Sequence, residues 1–223
     1  MYDYNAIAWF VGSTILIRLM YFKVDEWVGT LSAKYSQLPT FRKMYIQKNF
    51  IKSIVLAALT FIPVPKILYS ICVHNYWDTY LIHRLAAIYV SNDFTGLVFV
   101  DKLPSTTKIH HIVTTILLFI SLGLDFQHSD IGQAMFVYTV GSAAAYIVNF
   151  HLAIRWLWPN NQDKQLKLFS AAVYITTCLL TWSWHVYWAF TRPLFTGKHA
   201  LYFLLLGWIV RDDIILMQWL TKD

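Results

Sequence analysis

The sequence predicts an all-α fold of the polytopic membrane class, a bundle of about seven transmembrane helices. Of its 223 residues, 57% are apolar and only 13% are charged, and the mean hydropathy is +0.48. Soluble domains are about a quarter charged, so this chain lacks the polar surface to cover itself in water. Seven crossings of about 20 residues each would use roughly 140 residues and leave only short connections. This composition argues against a soluble enzyme and against any sizeable domain outside the membrane.

Seven apolar runs mark the expected helices, and together they form one domain over residues 1–223. The runs are residues 4–22, 50–72, 84–100, 109–126, 131–156, 168–190 and 199–220. The third run is short for a crossing and contains Asn92 and Asp93. The second run contains Pro63 and Pro65, which lack backbone donors, so it is predicted to be kinked or interrupted.

Lys and Arg residues are distributed unevenly between alternate connections. One side holds twelve of them, namely Lys23, Lys34, Arg42, Lys43, Lys48, Lys52, Lys102, Lys108, Arg155, Lys164, Lys167 and Lys222. The opposite side holds three, namely Arg84, Arg192 and Lys198. Because cytosolic loops carry an excess of basic residues, this bias predicts a lumenal or external N-terminus and a cytosolic C-terminus.

The basic residues outside the runs also indicate what the chain contacts. The longest hydrophilic segment, residues 23–49, mixes basic and aromatic side chains and is predicted to lie on anionic headgroups. The net charge of +6 is otherwise scattered between apolar runs. Since no dense basic stripe is present, we expect no nucleic-acid partner.

Polar residues within the runs are the candidates for function, because ionisable groups in a membrane are costly and usually turn inward. Four runs place such groups at a similar depth in the predicted cytosolic half. They are Asp93, His110, His111, Asn149, His151, Asp212 and Asp213. This coincidence predicts a shared polar cavity.

Other interpretations apply to some of these residues. An ion pair between Arg211 and one neighbouring aspartate is at least as well supported as a catalytic role. Asp212 and Asp213 point about 100° apart on a helix, so they cannot serve one bond equally. His110, His111 and His151 are of the ligand type that binds zinc, but adjacent histidines diverge on a helix, and we predict no metal.

The stretch YVSNDFTGLVFVDKLPSTTKIHHIVTTILL, residues 89–118, resembles the TLC-domain family of multi-pass endoplasmic-reticulum proteins, which includes ceramide synthases. The shared features are an aspartate in one helix, a short basic loop and a His-His pair that opens the next helix. The resemblance implies transfer of a long-chain acyl group from acyl-CoA to a sphingoid base in the endoplasmic-reticulum membrane. It assigns His110 and His111 as catalytic and matches Asp93 to the family aspartate.

The resemblance also implies the partners and the substrate-binding residues. The partners would be membrane lipids, acyl-CoA as co-substrate without any bound cofactor, and a sphingoid base, and a homodimer is compatible with the sequence. Substrate binding is expected at Asn149, His151, Asp212, Asp213 and Lys108, with Lys108 placed to attract the phosphates of acyl-CoA. Ceramide synthases carry further His and Asp residues in the helix that matches the fifth run, which here reads YTVGSAAAYIVNFH and has no carboxylate. Either the seventh-run aspartates substitute for them or the acyl-transfer machinery is incomplete.

Two alternatives stay open at this point. A non-catalytic TLC-domain protein would bind or sense lipid and regulate membrane lipid composition, with the histidines as a polar lining. A fatty-acid elongase would also span the membrane seven times and carry clustered histidines. The elongase pattern is His-x-x-His-His, and Thr107 occupies its first position here, which disfavours that alternative.

Overall fold

The protein is described by a computed structural model over residues 2–158, 160–191 and 196–222, and over all of their side chains except those of residues 160–163. In this part of the chain the regular secondary structure is entirely α-helical, as predicted. The helices are α1 (Tyr4–Leu31), α2 (Ala33–Ser36), α3 (Thr40–Phe61), α4 (Pro63–His74), α5 (Thr79–Phe99), α6 (Ser105–Ser121), α7 (Asp130–Ala143), α8 (Tyr146–Ile154), α9 (Asn160–Thr191) and α10 (Gly197–Thr221).

Four segments of the described chain are long and apolar enough to cross a membrane. They are Tyr4–Leu31, Thr40–His74, Asp130–Ile154 and Lys164–Thr191. These segments correspond to the first, second, fifth and sixth predicted runs, so four of the predicted runs form helices that could span a membrane. By this measure the structure supports four of the seven predicted crossings. Of the helices that match the other three predicted runs, α6 has only 17 residues, while α5 contains Asp93 and α10 contains the two adjacent aspartates.

Two interruptions divide the predicted runs. The second run breaks at Ile62. Helix α3 ends at Phe61, and α4 begins at Pro63, a position where a missing backbone N–H costs no helical bond. This confirms the predicted break. The fifth run is also broken, because α7 ends at Ala143 and α8 begins at Tyr146. The sequence analysis missed this second break, since a run of alanines carries no helix-stop signal.

The predicted interfacial segment, residues 23–49, is largely continuous with its neighbouring helices. Helix α1 continues to Leu31, and α3 already begins at Thr40. Val24 and Val28 are buried in one apolar cluster with Tyr35 and Ile46. An apolar face thus carries α1 into this segment, and the position of the segment on anionic headgroups stays a prediction.

Helix α5 lies at the centre of the packing that positions the polar residues. It packs against α1, α3 and α6, and α6 packs in turn against α10. Ala6, Leu56, Ala87 and Leu118 form part of the apolar cluster that joins α1, α3, α5 and α6. Polar side chains on α3, α5, α6 and α10 can consequently meet.

Candidate functional site

Asp93 of α5 is the centre of a buried polar cluster. Its carboxylate is fully buried, and one of its oxygens, Oδ1, accepts a hydrogen bond from the ammonium of Lys52 on α3. The Nδ1 atom of His111 lies 3.2 Å from the same oxygen. Lys52 and His111 therefore hold Asp93 from two different helices.

His110, at the start of α6, lies between two carboxylates. Its Nε2 atom is 3.9 Å from Oδ2 of Asp93, and its Nδ1 atom is 3.3 Å from Oδ2 of Asp212 on α10. The His110 side chain is 14% exposed, against 2% for His111. The two rings are perpendicular, with centroids 5.6 Å apart. The two adjacent histidines thus have different environments and different carboxylate partners.

Lys48 adds a second buried amine to the cluster. It lies one turn before Lys52 on α3, is 6% exposed, and interacts electrostatically with Lys52, Asp93 and Asp212. A Cβ atom at position 96 would lie 2.9 Å from Cε of Lys48, so Gly96 gives this side chain its space. The charges of two lysines and two aspartates cancel, so the cluster is neutral overall when both imidazoles are neutral.

The burial of two lysines was not predicted from the sequence. Lys48 and Lys52 were counted among the loop residues of the basic side, but both are buried inside α3. The reason is that α3 packs against α1, α5 and α8 around these positions. Ten basic residues remain on that side against three on the other, of which Arg192 lies outside the described residues.

An apolar cavity begins at His110 and follows α6. On α6 it is lined by His110, Thr114, Leu117, Leu118 and Ser121, which share one helical face. The rise from His110 to Ser121 is about 16 Å, at 1.5 Å per residue.

The remaining walls of this cavity come mainly from α5, α7 and α10. Most of the lining is aliphatic, and the polar exceptions in these walls are Tyr89, Tyr138, Thr139, Ser142 and Tyr202. His110 is the one ionisable member of the polar cluster that lines it, because Asp93 and His111 lie behind the wall. The cavity thus has the shape and chemistry of a site for an apolar chain with a reactive head.

The adjacent aspartates of α10 have separate roles, as their spacing predicted. Asp212 faces His110, while Asp213 accepts hydrogen bonds from the hydroxyls of Tyr138 and Tyr174. The ion pair considered for Arg211 is not formed with either carboxylate in the described part of the chain. Its side chain is exposed, and its guanidinium lies 5.5 Å from the ring centroid of Trp208.

The other predicted substrate-binding residues are not part of the cluster. Asn149 donates to the carbonyl of Ala145 in its own helix at 2.8 Å. His151 is buried with its ring centroid 5.8 Å from that of Trp219, and neither residue lines the cavity. Lys108 is exposed in the first turn of α6, two residues before His110.

Asp93, His110 and His111 offer ligand atoms that all lie within 4.8 Å of one another. Contrary to the expected divergence of adjacent histidines, one nitrogen of each ring lies close to Asp93, and these three residues could hold a metal ion. Lys52 places a positive charge on the same carboxylate, and this opposes binding of a cation. The expectation of no metal stays a prediction.

Comparisons of the chain with protein-family models, with curated proteins and with solved structures find no match. The resemblance to the TLC-domain family accordingly depends on the stretch from Tyr89 to Leu118 and on the residues Asp93, His110 and His111.

Proposed function

We propose that this protein is a membrane-bound N-acyltransferase of ceramide-synthase type, which moves a long-chain acyl group from acyl-CoA to the amine of a sphingoid base. One observation carries the proposal. His110 stands at the end of an apolar cavity, with the carboxylate of Asp212 3.3 Å from one of its ring nitrogens. The cavity would hold the acyl chain, and the imidazole would meet the thioester at its head.

The chemistry requires one base at the thioester. With the proton of the neutral imidazole on Nδ1, facing Asp212, the Nε2 atom is the one available to accept a proton. The sphingoid amine attacks the thioester carbonyl carbon and gives up a proton to Nε2. The carbon–sulfur bond then breaks, and the leaving thiolate receives the proton from His110, so that an amide and free CoA result.

Asp93, His111 and Lys52 serve as positioning residues in this proposal. The ammonium of Lys52 holds the Asp93 carboxylate, and that carboxylate faces both imidazoles. A carboxylate that orients a histidine makes it a better base. His111, behind the cavity wall, would act through Asp93 and not on the substrate.

The proposed topology has seven crossings in the endoplasmic-reticulum membrane, with the histidines toward the cytosol, where acyl-CoA is present. Cation and aromatic side chains pair at the corresponding end of the molecule. The distances from guanidinium carbon or ammonium nitrogen to ring centroid are 4.5 Å for Arg42 and Trp156 and 4.5 Å for Lys102 and Phe41. Such amphipathic pairs are typical of membrane–water interfaces. Exposed Lys102 and Lys108 are also placed to attract the phosphates of CoA.

The test is product formation by the purified full chain in lipid vesicles, supplied with long-chain acyl-CoA and a sphingoid base. We expect an N-acylated product by mass spectrometry, and we expect His110→Ala to lose it. The matched control is His128→Gln, because His128 is an 80% exposed histidine that pairs with Asp125 and does not line the cavity. Absence of product over the full range of chain lengths, or an active His110→Ala variant, would refute the transferase.

A second candidate function is lipid binding without catalysis, and the nature of the cavity wall favours it. The lining is almost wholly aliphatic and aromatic, and no carboxylate belongs to it among the described residues. This candidate predicts a co-purified lipid whose occupancy survives His110→Ala. Preparations without any bound lipid would argue against it.

A further inference from the structure

A compact apolar cluster lines the end of the cavity opposite His110 and forms its floor. Ile67, Ile82, Phe126 and Phe136 line the cavity there and form one buried cluster. They come from α4, the start of α5, the connection between α6 and α7, and α7 itself. Four separate parts of the chain thus converge to end the cavity.

Phe126 is held rigidly although it lies in a connection between helices. Its backbone N–H donates to Oγ1 of Thr79 at 3.0 Å, and its carbonyl accepts from Nε2 of Gln133 at 3.1 Å. Its ring packs edge-on against the buried imidazole of His83, with centroids 5.4 Å apart.

The second aromatic ring of the floor is braced as well. The ring of Phe136 packs edge-on against Trp77, with centroids 5.5 Å apart. The backbone N–H of Trp77 donates to the side chain of Gln127 at 2.9 Å. Both phenyl rings therefore close the cavity against a hydrogen-bonded connection and not against loose chain.

We propose that Phe126 and Phe136 set the longest straight acyl chain that the cavity accepts. A chain whose head lies at His110 runs along α6 for about 16 Å and then meets these two rings. The inference rests on the proposed binding of an acyl chain in this cavity, and it does not require that the protein catalyse acyl transfer.

This arrangement predicts how the affinity for acyl-CoA depends on the length of the acyl chain. Each methylene buried in the cavity raises affinity about fourfold. The rise stops at the length that fills the cavity, and longer chains gain nothing or bind more weakly because their ends meet Phe126 and Phe136. The chain length at which the rise stops is the quantity that the floor residues control.

In the experiment, a radiolabelled long-chain acyl-CoA is bound to the detergent-purified full chain. Saturated acyl-CoA molecules of increasing length then compete with it for the site, and their affinities are measured. Phe126→Leu and Phe136→Leu shorten the two floor side chains at separate positions. We expect each to move the limiting length to longer chains. Ala86→Leu fills the middle of the cavity, where Ala86 is part of the lining, and we expect it to move the limit to shorter chains.

The matched control is Phe10→Leu. Phe10 is buried to a similar degree as Phe136, each being 7% exposed, but it does not line the cavity. General loosening of the structure would weaken the binding of every chain length alike in all variants. The inference instead requires the limiting chain length to shift in opposite directions in the floor variants and in Ala86→Leu.

The outcomes separate this inference from the proposed function. Opposite shifts with no shift in Phe10→Leu support the inference even when no amide product is formed, and in that case only the transferase proposal fails. An unchanged limit in both floor variants overturns the inference while leaving catalysis unaffected. A wild-type protein that binds no acyl-CoA overturns both.

Discussion

Two histidine sites lie at opposite ends of the cavity, and their difference indicates which one is available for chemistry. Beyond the floor, Nδ1 of His83 is 3.2 Å from Oδ2 of Asp3, and its Nε2 is 2.8 Å from the carbonyl of Ser121. Both nitrogens of that ring are occupied by structural partners. At the other end, Nδ1 of His111 lies 3.2 Å from Oδ1 of Asp93, and His110 has only carboxylate contacts of 3.3 and 3.9 Å.

His83 is thus a histidine that ties helices together, whereas His110 is a histidine that faces the cavity. The bonds of His83 connect the start of α1, α5 and the end of α6, and its side chain is 1% exposed. His110 connects α5 and α10 more loosely and lines the cavity. Residue type alone could not distinguish these roles, because His83 and His110 both have an aspartate as a spatial neighbour.

The largest expected effect on stability comes from breaking the pair of Lys52 and Asp93. Lys52→Met leaves the fully buried carboxylate of Asp93 without its cation, and Asp93→Asn leaves the buried ammonium without its anion. Each change is expected to cost about 3–5 kcal/mol of folding free energy. Thermal or denaturant unfolding in detergent measures this cost.

The double variant serves as the control for this pair. If the two charges compensate one another, Lys52→Met with Asp93→Asn is less destabilised than the sum of the single changes. Additive losses would show that the pair is not coupled, and the cluster at this end of the cavity would then need another explanation.

Much of this cluster followed from the sequence. Asp93, His110 and His111 were predicted to lie together, and the structure brings them together with Asp212, because α6 packs against both α5 and α10. The lysines did not follow from it, since Lys48 and Lys52 adjoin a hydrophilic segment and look like loop residues. The exclusion of Asp213 from the cluster follows from its neighbour, because only one of two consecutive helical residues can face His110.

Neither the break between α7 and α8 nor the floor of the cavity could be predicted from the sequence. Phe126 and Phe136 are ordinary apolar residues, and only their convergence with Ile67 and Ile82 in space distinguishes them. Long-range contacts of this kind leave no local pattern in the sequence.

A smaller loss of folding free energy is expected when His83 is replaced. His83→Gln leaves the carboxylate of Asp3 or the carbonyl of Ser121 buried without its partner, which costs about 1–3 kcal/mol. His128→Gln is the matched control, because His128 also pairs with an aspartate but is 80% exposed; that change is expected to cost about 0–1 kcal/mol. Thermal midpoints of the two variants provide the comparison, and equal midpoints would contradict the structural role assigned to His83.

The smallest effect concerns Asp125, in the connection between α6 and α7. Hydrogen bonds from His128, the hydroxyl of Thr79 and the N–H of Gln127 hold the pKa of Asp125 below its usual value. A carboxyl group with a lowered pKa in the folded state stabilises the protein above its unfolded pKa of about 3.9, and the stabilisation is lost as the pH falls through the folded pKa.

Asp125→Asn removes this contribution, so the thermal midpoint of the wild type should fall slightly more steeply below about pH 4 than that of the variant. The effect is small because the Asp125 side chain is 59% exposed. Parallel curves for the two proteins between neutral and acidic pH would show that the connection gains nothing from this carboxylate.

The most direct test of the central claim is turnover of acyl-CoA and sphingoid base by His110→Gln and His83→Gln, measured side by side with the wild type in vesicles. General base catalysis contributes about 10²–10⁴-fold, so His110→Gln is expected to lower the rate of product formation by about 100-fold or more and to leave the thermal midpoint nearly unchanged. His83→Gln is expected to lower the midpoint while its folded fraction keeps its turnover. Product formation by His110→Gln at the wild-type rate, or the same loss of turnover per folded molecule in both variants, would contradict the assignment of His110 as the reacting residue.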